Sequence, residues 1–358
     1  MNAPFVPPRA QLRLADLADP SERQRIARFV AGHAQATPFH RFEWLDAVAA
    51  GTSSVAMVLT LECEHGLAAI LPLSLVHSPV FGRVLASSGF AVGGGILAEP
   101  GRDITPILAA VEELAQRLSC PTIELRGGIL PADREGWILK EDSHAGFVAP
   151  LALDDAAQLL SIPRKQRAEV RKSLANDLTV RIGTSPADRS THYAVYAESV
   201  RNLGTPVFPR ALFDAMSEQF SADSDILTVF KGSEPVASVL SLYHDGAVMP
   251  YWGGGTPAAR RLRANDRMYY ELMLHARQRG CSKFDFGRSK TNSGAYDFKR
   301  NWGFEPAPLS YAVWTASGAP QRDASPISGK NSRLVALWRK LPLALANRFG
   351  PVLAQGLG

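Results

Sequence analysis

The chain has 358 residues, of which 46% are hydrophobic and 20% are charged, and its formal net charge is +5. This composition predicts a folded globular protein and excludes an intrinsically disordered one, while the length favours two domains over a single core. The small basic excess suits an anionic ligand, a membrane surface or a nucleic acid equally well.

The first half of the chain begins with a strand, "QLRLADL", and a helix at about 21–34. In "TPFHRFEWLDAVAAG" the side chains of Phe42, Leu45 and Val48 fall on one helical face, and Gly51 ends the predicted helix. The segments "SSVAMVLTLE" and "LAAILPLSLVHS" are typical of buried strands. We interpret the glycine-rich "FGRVLASSGFAVGGGILAEPG" as a loop, which is followed by the helix "TPILAAVEELAQRL" and the strand "TIELRG".

The second half repeats this order of elements. A basic helix, "RKQRAEVRKSLAND", precedes the strand "LTVRIG" and the helix "SPADRSTHYAVYAESVRN". Three strands follow, "DILTVFKG", "EPVASVLSLYH" and "GAVMPYWGGG", with hairpin turns predicted at Gly232-Ser233 and Asp245-Gly246. A helix at about 265–279, the strand "SKFDFG", the helix "SGAYDFKRNW" and the strand "LSYAVWTA" complete the order.

Three antiparallel strands followed by helix, strand, helix and strand resemble the plan of the GNAT acyltransferase fold. In that plan a thioester cofactor lies where two neighbouring strands separate. We therefore predict an α+β protein (α/β in broad terms) of two tandem GNAT-like domains, 1–150 and 151–317, whose mixed, mainly antiparallel sheets are flanked by helices. Residues 318–358 are predicted to form a linker and an amphipathic C-terminal helix.

The segment "YWGGGTPAARRLRAND", residues 251–266, is a candidate phosphate-binding loop. Gly253, Gly254 and Gly255 would allow the backbone to approach a pyrophosphate closely, and Arg261 would supply positive charge. Glycines are also common turn residues after a strand, and arginines near the start of a helix are often simply solvated. The surrounding strand order favours the ligand loop over this structural alternative.

The segment "FDFGRSKTNSGAYDFKRNWGFEP", residues 284–306, contains the second group of candidates. Because Arg288 and Lys290 follow a strand at its carboxyl end, we expect both to reach a ligand cleft. Tyr296 and Lys299 lie one turn apart on the helix that follows. The aromatic residues of the segment are expected to belong to the core.

The proton-transfer groups are less well defined by the sequence. Asp285 alternates with two phenylalanines in the strand and is the nearest acidic candidate for a catalytic base, although it could instead hold a neighbouring arginine. His244, at a hairpin, is a second candidate base. A Ser-His-Asp hydrolase is disfavoured because the sequence has no G-x-S-x-G segment, and the GKS/T loop of a Walker-type NTPase is also missing.

The long segment 284–306 resembles the C-terminal signature of FemAB-like proteins, in particular the branch associated with exosortase (PEP-CTERM) and exopolysaccharide loci. "TPFHRFEWLDAV", "LPLSLVHSPVFGRVLASSGFAVGGGILA" and "PRKQRAEVRKSLANDLTVRIG" agree in the same order, so the resemblance covers most of residues 35–315. It implies an acyltransferase or aminoacyltransferase that acts on an amine of a cell-envelope or exopolysaccharide precursor. The implied co-substrate is acyl-CoA or aminoacyl-tRNA, with no tightly bound cofactor and no metal.

Two departures from the family pattern leave the donor open. GNAT enzymes often place a tyrosine at the end of the last helix to protonate a leaving thiolate. Here "FKRNWGF" has Phe298 and Lys299 at that place, and Tyr296 comes a turn earlier. The long helical arm with which several bridge-forming relatives engage tRNA has no counterpart in the sequence. Arg288, Lys290 and Lys299 are predicted to form a cationic clamp on phosphates of the donor or of a lipid-diphosphate acceptor.

Cysteine usage and the chain ends complete the predictions. Cys63, Cys120 and Cys281 lie far apart without a CxxC pair, so neither a disulfide framework nor a cysteine zinc site is expected. Because the N-terminus lacks a long apolar segment and no apolar run could span a bilayer, a cytoplasmic protein is predicted. The segment "NSRLVALWRKLPLALANRFGPVLAQGLG" would either lie on an anionic inner-membrane surface or dock on the protein's own core.

Two non-catalytic alternatives remain open at this point. The basic helix at 164–172 could serve a nucleic-acid-binding protein, although an acidic residue interrupts it and no aromatic platform accompanies it. No DNA partner is expected, and tRNA stays possible only as a donor. The chain could also be a degenerate transferase that acts as a scaffold for polysaccharide assembly.

Overall fold

The computed structural model describes residues 11–78, 81–131, 133–322 and 332–357. The chain forms two compact units. Unit 1 comprises Met1–Lys140, Ser310–Asp323 and Gln355–Gly358, and unit 2 comprises Glu141–Leu309 and Ala324–Ala354. Part of the predicted C-terminal linker, residues 323–331, lies outside the described residues.

Unit 1 is built from six strands of one sheet, a two-residue strand beside it, and flanking helices among its described residues. In chain order they are β1 (Gln11–Leu14), α1 (Pro20–Ala31), the 3-10 turn Pro38–His40, α2 (Phe42–Gly51), β2 (Val55–Cys63), β3 (Gly66–Ser78), β4 (Gly82–Ser87), β5 (Leu97–Ala98), α3 (Thr105–Arg117) and β6 (Thr122–Arg126). The strand order is β1-β2-β3-β4-β6-β13, where β13 spans Pro306–Thr315 and β5 pairs with β3. Neighbouring strands are antiparallel except β4 and β6, which are parallel.

Unit 2 contains the remaining elements. In chain order they are β7 (Trp137–Pro150, in unit 2 from Glu141), α4 (Asp155–Ser161), α5 (Arg164–Ala175), β8 (Thr179–Gly183), α6 (Pro186–Leu203), α7 (Arg210–Phe220), the 3-10 turn Ser221–Asp223, β9 (Ser224–Lys231), β10 (Glu234–His244), β11 (Ala247–Gly255), α8 (Pro257–Leu262), α9 (Ala264–Gln278), β12 (Lys283–Lys290), α10 (Gly294–Asn301), α11 (Ser332–Trp338) and α12 (Leu343–Ala354). The strand order is β8-β9-β10-β11-β12-β7. Here too one neighbouring pair, β11 and β12, is parallel, and the others are antiparallel.

Local sequence explains the turns that shape unit 2. Asp245 and Gly246 both have positive φ (45° and 67°), as a tight two-residue turn between β10 and β11 requires. Ser293 caps α10 by accepting a hydrogen bond from the backbone N–H of Tyr296 at 3.2 Å, and Gly303 leaves the helix with φ 89°. The predicted turns and the predicted α10 are therefore confirmed.

The strands of the two units follow the same plan, which confirms the predicted α+β class with mixed, mainly antiparallel pairing flanked by helices. Two local expectations differ from the structure. The predicted loop at 81–101 contains β4, because Val84, Leu85 and Ala86 are fully buried as a sheet strand. The final strand, β13, was expected to complete the second half, but its Tyr311–Thr315 portion pairs with β6 of unit 1.

Candidate functional site

The parallel pair β11 and β12 separates soon after it forms. The described ladder consists of Ala247 opposite Lys283 and Val248 opposite Phe284. Beyond these pairs β11 stays paired with β10 as far as Gly255, and β12 stays paired with β7 as far as Lys290. We call the space between the two diverging strand ends the unit 2 gap. Its facing backbone edges have no ladder partner among the described residues, and such an edge can bind an extended ligand.

A bulge shapes the β12 side of this gap. The register of β12 against β7 shifts between Asp285 and Arg288, and the intervening Gly287 has φ 66°. The carboxylate of Asp285 accepts the Gly287 N–H at 2.8 Å. The Lys299 ammonium on α10 donates to the carbonyl oxygens of Gly287 and Arg288 at 3.2 and 2.9 Å. The Asp285 carboxylate and the Lys299 ammonium thus both bind the backbone of the bulge, at residues 287–288.

Burial sets the protonation of these two groups. Lys299 is only 9% exposed, and this burial lowers its pKa to about 8, opposed by the charge of Asp285 and assisted by that of Arg288. The pKa of Asp285 is raised by burial, while the Gly287 N–H and the Lys299 charge act in the opposite direction. A carboxyl and an ammonium whose pKa values are both moved towards neutrality are suited to proton transfer.

Aromatic side chains surround the ammonium. The Lys299 nitrogen lies 5.4 Å from the ring centroid of Phe147, which is fully buried, and 5.6 Å from that of Phe286. Tyr296, three residues before Lys299 and therefore on the same side of α10, packs edge-on against Phe147 at 5.3 Å. The structure consequently brings together four of the predicted site residues: Asp285, Arg288, Tyr296 and Lys299.

The two other predicted cations lie further out. Lys290, the last residue of β12, is exposed, and so is Arg261 on α8. Neither meets the buried ammonium in the described contacts. A role for either of them in binding a donor phosphate stays a prediction.

The three glycines at the end of β11 have a packing role that the sequence did not reveal. A Cβ atom on Gly254 would lie 2.5 Å from the hydroxyl of Ser199 on α6, and one on Gly255 would lie 2.7 Å from the Cβ of Ala259. A Cβ on Gly253 would lie 3.1 Å from the hydroxyl of Tyr269. Close packing of helices against β11 therefore accounts for these glycines, and their contact with a phosphate stays a prediction.

The N-terminus of α9 follows the glycines and the short helix α8. Its first residue comes after Arg263, which has left-handed φ (56°) and gives no side-chain cap, so the first N–H groups of this 15-residue helix present positive potential. Asp266 lies in that first turn, accepts a hydrogen bond from Gln166 at 2.6 Å, and has a pKa raised by burial. This helix end can hold an anion only alongside that carboxyl group.

Tyr269 is a site residue that sequence analysis missed. Its ring packs edge-on against Phe286 at 4.7 Å, and its hydroxyl lies beside Gly253, so it connects the two strands that border the gap. Burial raises its pKa to about 12, which keeps the phenol protonated at neutral pH. In the sequence Tyr269 fits the helical pattern of α9 as an ordinary core residue would, so no signal distinguished it from the core.

His244 is separated from all of these residues. His244 ends β10 and pairs with Ala247, the first residue of β11. The glycines end β11 eight residues after Ala247, about 26 Å away along the strand. A cavity of about 690 Å³ also lies away from the gap, where Asp225 accepts hydrogen bonds from Tyr243, His275 and Arg279. Since Asp225 opposes Ser241 near the hairpin end of β10, this cavity belongs to the closed end of the sheet.

Comparison with known proteins agrees with the strand order. Residues 163–300 match the family model of the acetyltransferase (GNAT) domain, and this range contains every predicted site residue. No curated protein sequence matches the chain. Among the described residues no helix has the length and apolarity to cross a membrane, and no cluster of three or more His, Cys, Asp or Glu side chains could hold a metal.

Solved structures extend the similarity to both units. FemX has a TM-score of 0.63 and 14% identity, with 89% of this chain and 98% of FemX covered. A tandem GNAT protein from the clavulanic acid biosynthesis pathway gives 0.54 and 14%, with coverage of 87% and 100%, and L-PGS from Bacillus licheniformis gives 0.52 and 12%, with coverage of 90% and 96%. At these identities the likeness concerns the fold, and it confirms the predicted tandem GNAT-like architecture.

Proposed function

We propose that unit 2 catalyses the transfer of an acyl or aminoacyl group to an amine. The observation that carries this proposal is the gap between β11 and β12, with Asp285, Arg288 and Lys299 collected at its β12 side. An extended donor can pair with the open strand edges while its carbonyl group lies near the bulge. The match to the acetyltransferase domain family over 163–300 supports the same class of reaction.

The reaction needs four contributions from the protein. The amine nitrogen attacks the donor carbonyl carbon, a C–N bond forms, and the C–S bond of a thioester or the C–O bond of an ester breaks. The amine gives up a proton, the carbonyl oxygen carries negative charge in between, and the leaving group accepts a proton. Positioning, a base for the amine proton, an oxyanion partner and a proton donor for the leaving group are therefore required.

Lys299 fits the last two requirements. Its ammonium has three N–H groups, and two of them are directed at the carbonyls of Gly287 and Arg288, so one remains for a ligand. With a pKa of about 8 it can hold a proton at neutral pH and also release one to a leaving group. This role replaces the predicted phosphate clamp for Lys299, while Arg288 keeps its predicted place near donor or acceptor phosphates.

Asp285 is the base we propose for the attacking amine. Burial raises its pKa, and one of its oxygens holds the Gly287 N–H. Tyr269 lies beside the strand gap and Tyr296 packs against Phe147, whose ring adjoins the ammonium, so the hydroxyl of either tyrosine can orient a reacting oxygen. His244 has no part in this scheme because it ends β10 at the hairpin, opposite the far end of β11.

The finer assignment follows the FemAB-like resemblance. We propose acyl-CoA or aminoacyl-tRNA as the donor and an amine of a cell-envelope or exopolysaccharide precursor as the acceptor, in a cytoplasmic protein of the exosortase-associated branch. The chain is similar to FemX and to a tandem GNAT protein whose structure was determined without AcCoA. This similarity supports testing both donor classes in the assay.

The test is a transfer assay on the full chain followed by mass spectrometry. The protein is incubated with an acyl-CoA panel or with aminoacyl-tRNA, together with amine-bearing envelope precursors. Release of free CoA and release of deacylated tRNA distinguish the two donors. A new amide mass on the acceptor supports the proposal, and absence of amide product with every pair contradicts it.

Arg288→Ala locates the site within that assay. We expect transfer to fall by at least tenfold, because a charge-assisted contact to phosphate contributes roughly 1.5–3 kcal/mol. Arg300→Ala is the matched control, since Arg300 is an exposed arginine of the same segment. Both variants should melt near the wild-type temperature. Full activity of Arg288→Ala would show that the phosphate-binding site lies elsewhere.

A further inference from the structure

The C-terminal helix α12 docks on unit 2 with the opposite face from the one expected of an amphipathic helix. Its buried residues are Ala346, Gly350 and Ala354, spaced four apart, so a stripe of small residues faces the protein. The backbone at Gly350 is so close to Val207 that a Cβ would lie 3.1 Å from the Val207 nitrogen. Small residues let this helix approach closely without using its large apolar side chains.

Those large side chains point outwards. Leu345, Phe349 and Val352 lie on one face of α12 and are 43%, 52% and 59% exposed, and Leu337 on α11 is 61% exposed. A helix that merely completed the core would bury these side chains instead of its alanines. The exposed apolar face therefore needs an explanation other than docking on the protein's own core.

The charged residues of the segment that carries this face are all basic. Arg339, Lys340 and Arg348 are exposed, and the sequence from 332 to 357 contains four basic residues and no acidic residue. Apolar side chains flanked by cations without any carboxylate complement a surface whose outer layer is negative and whose interior is apolar.

The position of the helix pair is also informative. Arg339, directly after α11, donates to the Leu203 carbonyl at 3.1 Å, at the end of α6, and Val335 of α11 contacts Gly204. Ser199, one turn earlier on α6 and about 6 Å away along its axis, is the residue that packs against Gly254. Helices α11 and α12 thus adjoin the end of α6 that borders the unit 2 gap.

We propose that α11 and α12 form a membrane-binding surface for anionic phospholipid, in which Leu345, Phe349 and Val352 enter the lipid interface.

A second copy of this chain is a poorer occupant of this surface. Four half-exposed apolar side chains offer roughly 300–400 Å², well short of the ~800 Å² per partner of a stable interface. Insertion into a lipid interface needs no such area, because each buried CH₂ group contributes. The surface would hold the gap near lipid-linked acceptors, but its binding does not depend on the transfer reaction.

The test is co-sedimentation of the full chain with vesicles, without donor or acceptor. Binding is expected to vesicles of phosphatidylcholine and phosphatidylglycerol in a two-to-one ratio, and to be much weaker with phosphatidylcholine alone or at high salt. The double variant Phe349→Gln/Val352→Gln should bind at least tenfold more weakly. The double variant Lys340→Gln/Arg348→Gln should lose several-fold on anionic vesicles.

Leu153→Gln/Leu160→Gln is the matched control, because these leucines of unit 2, before and on α4, are 96% and 60% exposed. It should bind like the wild type. The proposal is overturned if the wild type does not sediment with anionic vesicles, or if the control weakens binding as much as the α12 variant. It is also overturned if light scattering shows a dimer that Phe349→Gln/Val352→Gln dissociates, since the face would then be a contact between copies. Vesicle binding without any transfer activity would leave this proposal standing and contradict only the proposed function.

Discussion

The two units contain the same strand arrangement, but only in unit 2 do the separated strand ends stay accessible. In unit 1 the parallel pair β4 and β6 also consists of two described residue pairs, Leu85 with Ile123 and Ala86 with Glu124. We call the space beyond these pairs the unit 1 gap. The residues of β4 that border it are fully buried, whereas Gly253–Gly255 and Arg288 at the unit 2 gap are partly exposed.

The chain itself closes the unit 1 gap. The Arg126 backbone N–H donates to the Ser87 hydroxyl at 2.8 Å, and its guanidinium donates to the Ala91 carbonyl at 3.1 Å. The glycine-rich segment then runs so close to β6 that a Cβ on Gly95 would lie 1.9 Å from the Gly127 carbonyl oxygen. The same strand plan therefore supports a ligand site only where no loop of the chain satisfies the free strand edges.

The closed gap yields the largest expected effect. Gly95→Ala should lower the free energy of unfolding by more than about 3 kcal/mol, because the new methyl group meets backbone that cannot rotate away. Gly254→Ala meets the Ser199 side chain and should cost about 1–3 kcal/mol. Denaturant unfolding measures both.

Gly294→Ala is the control for these two variants, since nothing lies within 4 Å of its Cβ position. It should change stability by no more than about 0.5 kcal/mol. If Gly95→Ala is tolerated as well as Gly294→Ala, the unit 1 gap is not closed by backbone contact and the contrast between the units fails.

The open gap is tested through Lys299. Lys299→Met should lower kcat by roughly a hundredfold, equivalent to about 2.7 kcal/mol, because a preorganised cation is lost from the reacting carbonyl. Lys299→Arg keeps a charge at the bulge and should retain part of the activity. If Lys299→Met lowers only thermal stability and leaves kcat unchanged, the ammonium holds the bulge and does nothing more.

The same residue predicts opposite pH dependences for activity and stability. Activity that requires charged Lys299 should fall as the pH rises through about 8, and Lys299→Arg should remove this alkaline limb because arginine stays protonated. For stability the sign is reversed. Between about 8 and the ordinary lysine value of 10.5 the unfolded chain binds more protons than the folded one, so the Lys299 contribution to the unfolding free energy rises with pH.

The comparison of the units also shows what the sequence could predict. Periodicity and turn residues identified most elements of unit 2, because β9 to β11 have strong apolar patterns and Gly or Asp-Gly at their turns. The sequence analysis missed β7, because its stretch "KEDSHAG" is polar. It also missed α7, which lies between elements with stronger apolar patterns. The pairing of β13 with β6 could not be predicted from the sequence, because a strand's own residues do not specify which strand it pairs with.

The candidate site was predictable in composition but not in contacts. One segment, 284–306, supplied Asp285, Arg288 and Lys299, and the structure does bring these together. That Lys299 binds two backbone carbonyls depends on the Gly287 bulge, which pattern analysis cannot locate. The glycines of β11 were interpreted as ligand-facing, since sequence alone does not show which side chains on α6 and α8 press against them.

His244 gives the smallest expected effect and the sharpest control on the location of the reaction. It ends β10 opposite Ala247, beside the closed end where β11 and β12 are still paired, so a ligand in the unit 2 gap does not reach it. His244→Asn keeps a polar side chain of similar size at the hairpin and should leave kcat/KM within about twofold of the wild type, with a stability change of no more than about 0.5 kcal/mol. Steady-state transfer kinetics and a thermal melt measure the two quantities. A tenfold loss of kcat/KM in a stably folded His244→Asn protein would move the reaction to the hairpin end, beside the Asp225 cavity, and the open strand ends would then be a binding feature without chemistry.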